Sequence, residues 1–178
     1  MEGPGSGDDF AFAGWSMPYA SDEIMKFKYD ELFDCDALLL GRITYEGFAA
    51  AWPTMTDAGD FGERMNSMQK YVVSNTIEDA GWENSYILKG NIPETISTLK
   101  EEPGNDILVF GSGDLLRTLI EFNLVDEYRL LLYPVTLGEG KRLFRESSNM
   151  KLALEESKTF DNGVVLLRYI PERRRVSL

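Results

Sequence analysis

Two patterns of apolar residues alternate along the chain, and they predict helices and buried strands in turn. Between Asp22 and Phe33 apolar side chains recur at helical spacing, which predicts a helix capped by Ser21 or Asp22 itself. Residues 37–40 form a continuous apolar run that ends in Gly41, a pattern typical of a strand buried on both faces. After a loop over the first twenty residues, which are rich in glycine, proline and serine, the sequence therefore predicts a helix followed by a buried strand.

The same two patterns continue to the C-terminus. Further helices are expected over about 44–51, 93–101 and 114–122. Further strands are expected over 71–74, 86–88, 107–110, 128–133, 152–160 and 164–170. Asn162-Gly163 between the last two strands indicates a hairpin. This order predicts an α/β fold, with a mostly parallel sheet, helices on both faces and an antiparallel C-terminal hairpin. Ligands of such sheets bind beyond the carboxyl ends of the strands.

Composition limits the class of protein. The chain has 178 residues, 43% of them hydrophobic and 27% charged, which fits one domain spanning residues 1–178. Its net charge of −12 excludes a nucleic-acid partner, because phosphate binding needs a basic surface. No apolar run is long enough for a membrane span, and the first residues lack the features of a signal peptide. The single cysteine, Cys35, fits a reducing compartment, so a cytoplasmic protein is expected.

Residues suited to anion binding follow the first predicted strand. Gly41 allows a ligand to approach the backbone, and the next helix would present its N-terminal N–H groups there. Arg42 could add a guanidinium and Thr44 a hydroxyl for phosphate. An ordinary strand-to-helix turn with an exposed arginine and a capping threonine explains the same residues equally well.

Two more predicted strands end in similar chemistry. Ser74, Asn75 and Thr76 follow one of them and suit either phosphate contacts or a simple turn. Gly111-Ser112-Gly113-Asp114 follows another and resembles a pyrophosphate cradle, although its spacing is not that of the full dinucleotide fingerprint. Three such strand ends in one sheet would suit a dinucleotide. Arg42 together with the hydroxyls of Ser74 and Thr76 favours NADPH over NADH.

Four segments of the sequence, taken together, resemble a known family. They are residues 36–46 (DALLLGRITYE), 70–74 (KYVVS), 108–113 (LVFGSG) and 133–140 (YPVTLGEG). In order and spacing they are similar to the dihydrofolate-reductase-like family, and most of all to single-domain relatives of the reductase half of the riboflavin-biosynthesis deaminase-reductase. The resemblance implies a three-layer α/β/α sandwich with NADPH lying across the sheet, and it also implies a homodimer.

The resemblance assigns cofactor-binding positions. Those matching the family's pyrophosphate, adenosine-side and nicotinamide-ribose contacts are Gly41, Arg42, Thr44, Ser74, Asn75, Thr76, Gly111, Ser112, Gly113, Asp114 and Leu115. The absence of histidine excludes a histidine metal site, and no metal is expected.

The substrate side departs from that family. Where dihydrofolate reductases carry a carboxylate on the first helix, this chain has Met25, and the assisting threonine falls among Leu130, Leu131 and Leu132. Both polar anchors for a pterin are therefore missing. The positions expected to line the pocket are aromatic, and each could equally be plain core: Trp15, Tyr29, Phe48 and Trp52.

These inferences combine into one expected function. The chain is expected to be an NADPH-dependent oxidoreductase that passes a hydride to a small heterocycle, similar to a pterin, a pyrimidine or a riboflavin precursor. Both 5-amino-6-(5-phosphoribosylamino)uracil reductase and dihydrofolate reductase are models for it. The alternative is a protein of this fold that binds NADPH without turnover. No residue can be named as catalytic.

The resemblance also predicts a gap in the sheet. Family members usually open with an apolar strand before a loop resembling Glu2-Gly3-Pro4-Gly5, whereas here that loop begins at Met1. Seven strands are predicted against eight in the family, and the eighth lies near the centre of the sheet. We therefore expect the strand at Leu38–Leu40 or at Leu108–Phe110 to show an unpaired edge, or pairing supplied from elsewhere. Residues 1–10 are too glycine-rich to fill this position well.

Overall fold

A computed structural model describes residues 12–110, 113–140, 142–144 and 149–172 of the chain. The described part opens with a loop containing the 3₁₀ turn Met17–Tyr19, followed by helix α1 (Asp22–Phe33). Ser21 caps this helix, because its hydroxyl accepts a hydrogen bond from the amide of Ile24 at 3.4 Å. The helix and cap predicted from the sequence are therefore present.

The first half of the fold is a parallel sheet. Its strands are β1 (Cys35–Gly41), β2 (Gln69–Val73), β3 (Ser85–Leu88) and β4 (Asp106–Leu108), in the spatial order β3-β2-β1-β4. The crossovers contain helices α2 (Arg42–Ala51), α3 (Gly59–Ser67) and α4 (Ile92–Leu99), with the 3₁₀ turn Trp52–Thr54 after α2. All three ladders are parallel, so the carboxyl ends of these strands lie along one edge of the sheet.

The second half is a smaller antiparallel sheet. Helix α5 (Gly113–Glu121) leads into β5 (Tyr128–Leu132), and β6 (Leu152–Thr159) and β7 (Val165–Pro171) complete the sheet in the order β5-β7-β6. Gly163 makes the tight turn between β6 and β7 with φ of 82°, a conformation that favours glycine. The predicted hairpin at Asn162-Gly163 is present.

The predicted α/β fold with an antiparallel C-terminal hairpin is confirmed, but its strands form two separate sheets rather than one. Within the described residues, β4 pairs only with β1, and β5 pairs only with β7. The unpaired edge expected at Leu108–Phe110 therefore lies on β4, whereas the strand at Leu38–Leu40 is paired on both sides. Residues 1–10, which the same expectation concerned, lie outside the described ranges.

Helices cover both faces of the parallel sheet. Leu38 and Leu40 of β1 point into a core cluster that includes Leu32 of α1, while Leu39 between them packs with Ile96 of α4 and with α5. This alternation makes the fold a three-layer α/β/α sandwich. A third cluster packs Ile24 of α1 against the antiparallel sheet. Within the described ranges, no helix is long and apolar enough to cross a bilayer.

Candidate functional site

The carboxyl ends of β1, β2 and β4 meet at one edge of the parallel sheet. Gly41 at the end of β1 lies in register with Val73 of β2, and Leu38 lies in register with Leu108 of β4. The three candidate anion-binding segments follow directly after these ends. The parallel topology therefore places at one edge of the sheet three segments that are spread over about seventy residues of the sequence.

Arg42 and Thr44 occupy the first turn of α2. Gly41 is the N-cap of this helix and makes no side-chain hydrogen bond to its first amides. The Arg42 guanidinium is exposed and forms an ion pair with Glu46 one turn later, with 2.9 Å between Nη1 and Oε2. Thr44 is half-buried. This turn carries a cation and backbone donors, which is the chemistry that holds a phosphate.

Ser74 sits at the end of β2 as the anchor of a turn. Its buried hydroxyl oxygen accepts hydrogen bonds from the amides of Thr76 at 3.2 Å and Ile77 at 3.0 Å. Both lone pairs are occupied, so only the hydroxyl hydrogen is available, and Thr76 Oγ1 lies 3.4 Å from the same oxygen. Asn75 and Thr76 are exposed, while Ser74 shapes the turn.

The third strand end is described from Gly113 onwards, because Gly111 and Ser112 lie outside the described ranges. Gly113 is the first residue of α5, and a Cβ there would meet no heavy atom within 4 Å. Asp114 is exposed and forms an ion pair with Arg117. Leu115 is buried in the core beneath α5, so only its backbone faces the strand ends.

Trp15 lies against Tyr133, the residue that follows β5. Their rings meet edge to face with centroids 4.9 Å apart, and Tyr19 contacts the same ring at 5.7 Å. Two hydrogen bonds hold the loop that contains Trp15 and Tyr19. The side-chain amide of Asn162 donates to the carbonyl of Tyr19 at 2.5 Å, and the Tyr19 hydroxyl donates to the carbonyl of Pro134 at 3.4 Å. Burial raises the pKa of Tyr133, so its hydroxyl stays protonated at neutral pH.

Phe48 of α2 and Trp52 of the following 3₁₀ turn form a second aromatic group. Phe48 lies edge to face with Phe110 beyond β4 at 6.3 Å, and Trp52 continues the row to Phe61 at 5.5 Å. Tyr29 belongs to neither group, because it stacks on Phe33 at 4.2 Å on the exposed side of α1. The four aromatic candidates thus lie in three places, and only Trp15 and Phe48 adjoin a strand end directly.

Sequence reasoning missed three residues at this edge. Phe110 and Tyr133 are predicted to end strands, yet each lies just beyond one. Lys28 of α1 places its Nζ 5.3 Å from the centre of the Phe110 ring and 2.8 Å from an oxygen of the buried Glu31. The available signal was positional: both aromatic residues immediately precede turn-forming glycine or proline.

An open groove of about 710 Å³ lies elsewhere, between α2 and residues 81–83. Tyr45, Ala49 and Trp82 line it, and none of the residues predicted to bind cofactor or substrate does so. Among the described residues, no cluster of three or more histidine, cysteine, aspartate or glutamate side chains could hold a metal ion. The candidate site is therefore the edge formed by the strand ends.

Comparison with protein families matches residues 9–166 to the RibD C-terminal domain. The chain belongs to the RibD C-terminal domain family. This confirms the resemblance to the riboflavin-biosynthesis branch, and the match covers β1 to β6 and the first two residues of β7.

Two curated relatives of this RibD C-terminal domain protein come from Bacillus subtilis (strain 168). The uncharacterised protein YyaP is 34% identical over 144 residues, which span 79% of this chain and 76% of YyaP. The uncharacterised protein YwjB is 27% identical over 132 residues, which span 74% of this chain and 71% of YwjB.

Solved structures share the fold of this RibD C-terminal domain protein. A protein ascribed to riboflavin biosynthesis from Shewanella sp. PV-4 superposes with a TM-score of 0.63 at 23% identity, covering 86% of this chain and 81% of that one. A pyrimidine reductase-like protein from Corynebacterium diphtheriae superposes with a TM-score of 0.60 at 14% identity, covering 95% and 88%.

Proposed function

We propose that this protein is an NADPH-dependent reductase that transfers a hydride to a small planar heterocycle of the pyrimidine or pterin type. The observation that carries the proposal is the family match over residues 9–166, which spans all three candidate anion-binding segments. The reductase-like and riboflavin-linked names of the structural neighbours point to the same chemistry.

The residues at the sheet edge fit NADPH by their chemistry. The Arg42 guanidinium and the N-terminal end of α2 suit phosphate, and Asn75 and Thr76 present exposed polar groups at the end of the neighbouring strand β2. Gly113 leaves room for a ligand to approach the backbone at the start of α5. These residues would hold the nucleotide, Arg42 with Thr76 would contact the 2′-phosphate, and NADPH would supply the hydride.

The chain's own part in the reaction is to position the substrate and exclude water. Phe110 lies just beyond β4 and Tyr133 just beyond β5, and the ring of Trp15 packs edge to face on Tyr133. Flat aromatic walls favour a planar ring and hold it in a fixed orientation. Lys28, whose Nζ is paired with Glu31, is a cation beside Phe110.

The test is an NADPH oxidation assay, followed by nicotinamide absorbance, with pyrimidines, pterins and quinones as candidate acceptors. A thermal shift with NADPH accompanies it, since a ligand that binds the folded state raises its melting temperature. Oxidation with one acceptor class supports the proposal. A thermal shift without oxidation supports the alternative of a protein that binds NADPH without turnover. The absence of both a thermal shift and oxidation with NADPH contradicts the proposal and the alternative.

A further inference from the structure

The groove between α2 and residues 81–83 has fixed walls. Its volume of about 710 Å³ lies within the usual range for sites that hold small molecules. The backbone amide of Trp82 donates to the hydroxyl of Tyr45 at 3.1 Å, and its indole N–H donates to the side chain of Asn66 at 2.8 Å. These two bonds tie segment 81–83 to α2 and α3.

Lys70 fixes the same segment from inside the fold. Its Nζ donates to the carbonyl of Glu83 at 3.0 Å and to that of Asn66 at 2.7 Å. It also lies 4.3 Å from the centre of the Trp82 ring. Lys70 is fully buried and does not line the groove. The groove is therefore formed in advance of any ligand.

Both charged residues that line the groove are acidic. Glu46 comes from α2 and Glu83 from the opposite wall, and no lysine or arginine lines the groove. Glu83 is exposed, and within the described ranges its carboxylate forms no ion pair. Lys70 cannot donate to it, because its three N–H groups already bind carbonyls. The groove thus offers a carboxylate on each wall.

Small apolar residues lie between the two carboxylates along α2 and the turn that follows it. They are Ala49, Ala50 and Pro53. Such residues leave room for a hydrocarbon chain, and covering their apolar surface is favourable. Carboxylates form strong, charge-assisted hydrogen bonds with ammonium groups. This combination suits an organic cation with an apolar body.

We propose that this groove is a binding site for an aliphatic diamine. One ammonium group binds Glu83 and the other binds Glu46, and the hydrocarbon chain lies along Ala49 and Pro53. A diamine fits better than a monoamine, because the two carboxylates belong to different walls.

Glu46 connects the groove to the candidate site. The Nη1 atom of Arg42 lies 3.1 Å and 2.9 Å from the two carboxylate oxygens of Glu46. An ammonium group at Glu46 therefore competes with Arg42 and releases its guanidinium. By linkage, a phosphate held by Arg42 and a diamine in the groove favour each other's binding. This consequence rests on the proposed function, whereas the site itself does not.

The experiment titrates hexamethylenediamine into the full chain at constant ionic strength and follows amide and indole signals by NMR. We expect the indole signal of Trp82 and the amides of residues 81–83 to shift, while the indole signal of Trp15 stays unchanged. Two other dications are the ligand controls. Ethylenediamine has a shorter hydrocarbon chain and calcium has none, so both should bind about tenfold more weakly. Equal affinity for all three dications would show only an acidic surface and would overturn the proposal.

Matched variants test each contact. Glu83→Gln should weaken diamine binding about two- to fivefold, the range for an exposed ion pair, whereas Glu121→Gln on α5 should not. Arg42→Ala should strengthen it about two- to fivefold, because the competitor for Glu46 is lost. Lys26→Ala removes the same charge from α1 and should have no effect. No shift at Trp82, or equal effects of groove and control variants, would overturn the proposal.

A last titration separates this inference from the proposed function. With saturating diamine, NADPH should bind the wild type about two- to fivefold more tightly, and Glu46→Gln should abolish this gain. NADPH binding that the diamine does not change would overturn the coupling through Glu46. A complete lack of NADPH binding would contradict the proposed function, while the NMR titration would still decide whether the groove binds a diamine.

Discussion

Trp15 meets Tyr133 edge to face, with 4.9 Å between ring centroids, and this contact places a loop residue over the end of β5. We expect Trp15→Ala to raise the substrate KM by up to about tenfold, because an aromatic contact contributes about 0.5–1.5 kcal/mol beyond its buried area. Tyr86→Ala is the matched control, since Tyr86 lies on the outer strand β3 and its ring contacts that of Tyr71 on β2. A fall in melting temperature with an unchanged KM would show that Trp15 contributes to packing and not to substrate binding.

Arg42 should discriminate between the two nicotinamide nucleotides. We expect Arg42→Ala to weaken NADPH binding by about 1–3 kcal/mol, the range for hydrogen bonds to charged groups, and to leave NADH binding almost unchanged. Titration calorimetry with both nucleotides measures this difference. Lys26→Ala is the control, because it removes another exposed i,i+4 ion pair, Lys26–Asp30, from a different helix. Equal losses for NADPH and NADH would contradict the 2′-phosphate assignment.

Lys70 is a fully buried cation whose stability contribution depends on pH. Its Nζ donates to the carbonyls of Asn66, Met68 and Glu83 at 2.7–3.0 Å and lies 4.3 Å from the centre of the Trp82 ring. Burial nevertheless lowers the pKa of Lys70 from 10.5 to about 8. Between about pH 8 and 10.5 the unfolded chain holds the proton that the folded chain has released, so this group's contribution to stability rises with pH.

Urea unfolding of the wild type and Lys70→Met at pH 7 and pH 10 tests this sign. We expect the stability difference to shift in favour of the wild type at pH 10. The comparison with the variant is needed because burial raises the pKa of Tyr128 to about 12, which lowers the stability of both proteins above pH 10. A difference that is constant with pH would show that Lys70 keeps an ordinary pKa.

Asn162 should control the loop that carries Trp15. Its side-chain amide donates to the carbonyl of Tyr19, while its side-chain oxygen accepts from the amide of Val164 at 3.2 Å. Asn162→Asp keeps the acceptor for Val164 and loses the donor to Tyr19. We expect faster proteolysis within residues 12–20 and a loss of stability of about 1 kcal/mol, the value of one hydrogen bond. Asn149→Asp, at an exposed position before β6, is the control.

The sequence predicted the elements whose patterns are local. The α1 cap at Ser21, the buried run of β1 and the turn at Gly163 all follow from short-range rules, and all are present. Helix α3 (Gly59–Ser67) was not predicted, because glycines at 59 and 62 weaken its helical pattern. Gly62 is buried there, and a Cβ on it would lie 2.8 Å from the Cβ of Ala58. Close packing therefore requires glycine at this position, and this same glycine weakens the helical pattern of the sequence.

The candidate site was predicted only in part, because its aromatic walls depend on tertiary distances. The alternation of strands and helices predicted a parallel sheet, and a parallel sheet brings the carboxyl ends of its strands to one edge. It could not show that Tyr29 stacks outward on Phe33, or that the oxygen of Ser74 is already occupied by two amides of its own turn. The assignments of cofactor and substrate residues remain predictions.

Helix α1 has a consequence for how the molecule unfolds. Ile24 at one end packs into the cluster of the antiparallel sheet, and Leu32 at the other packs into the cluster of the parallel sheet. Helix α1 therefore couples the two sheets through its apolar side chains. We expect Ile24→Ala to split one calorimetric transition into two, so that the C-terminal sheet melts first as an independent foldon.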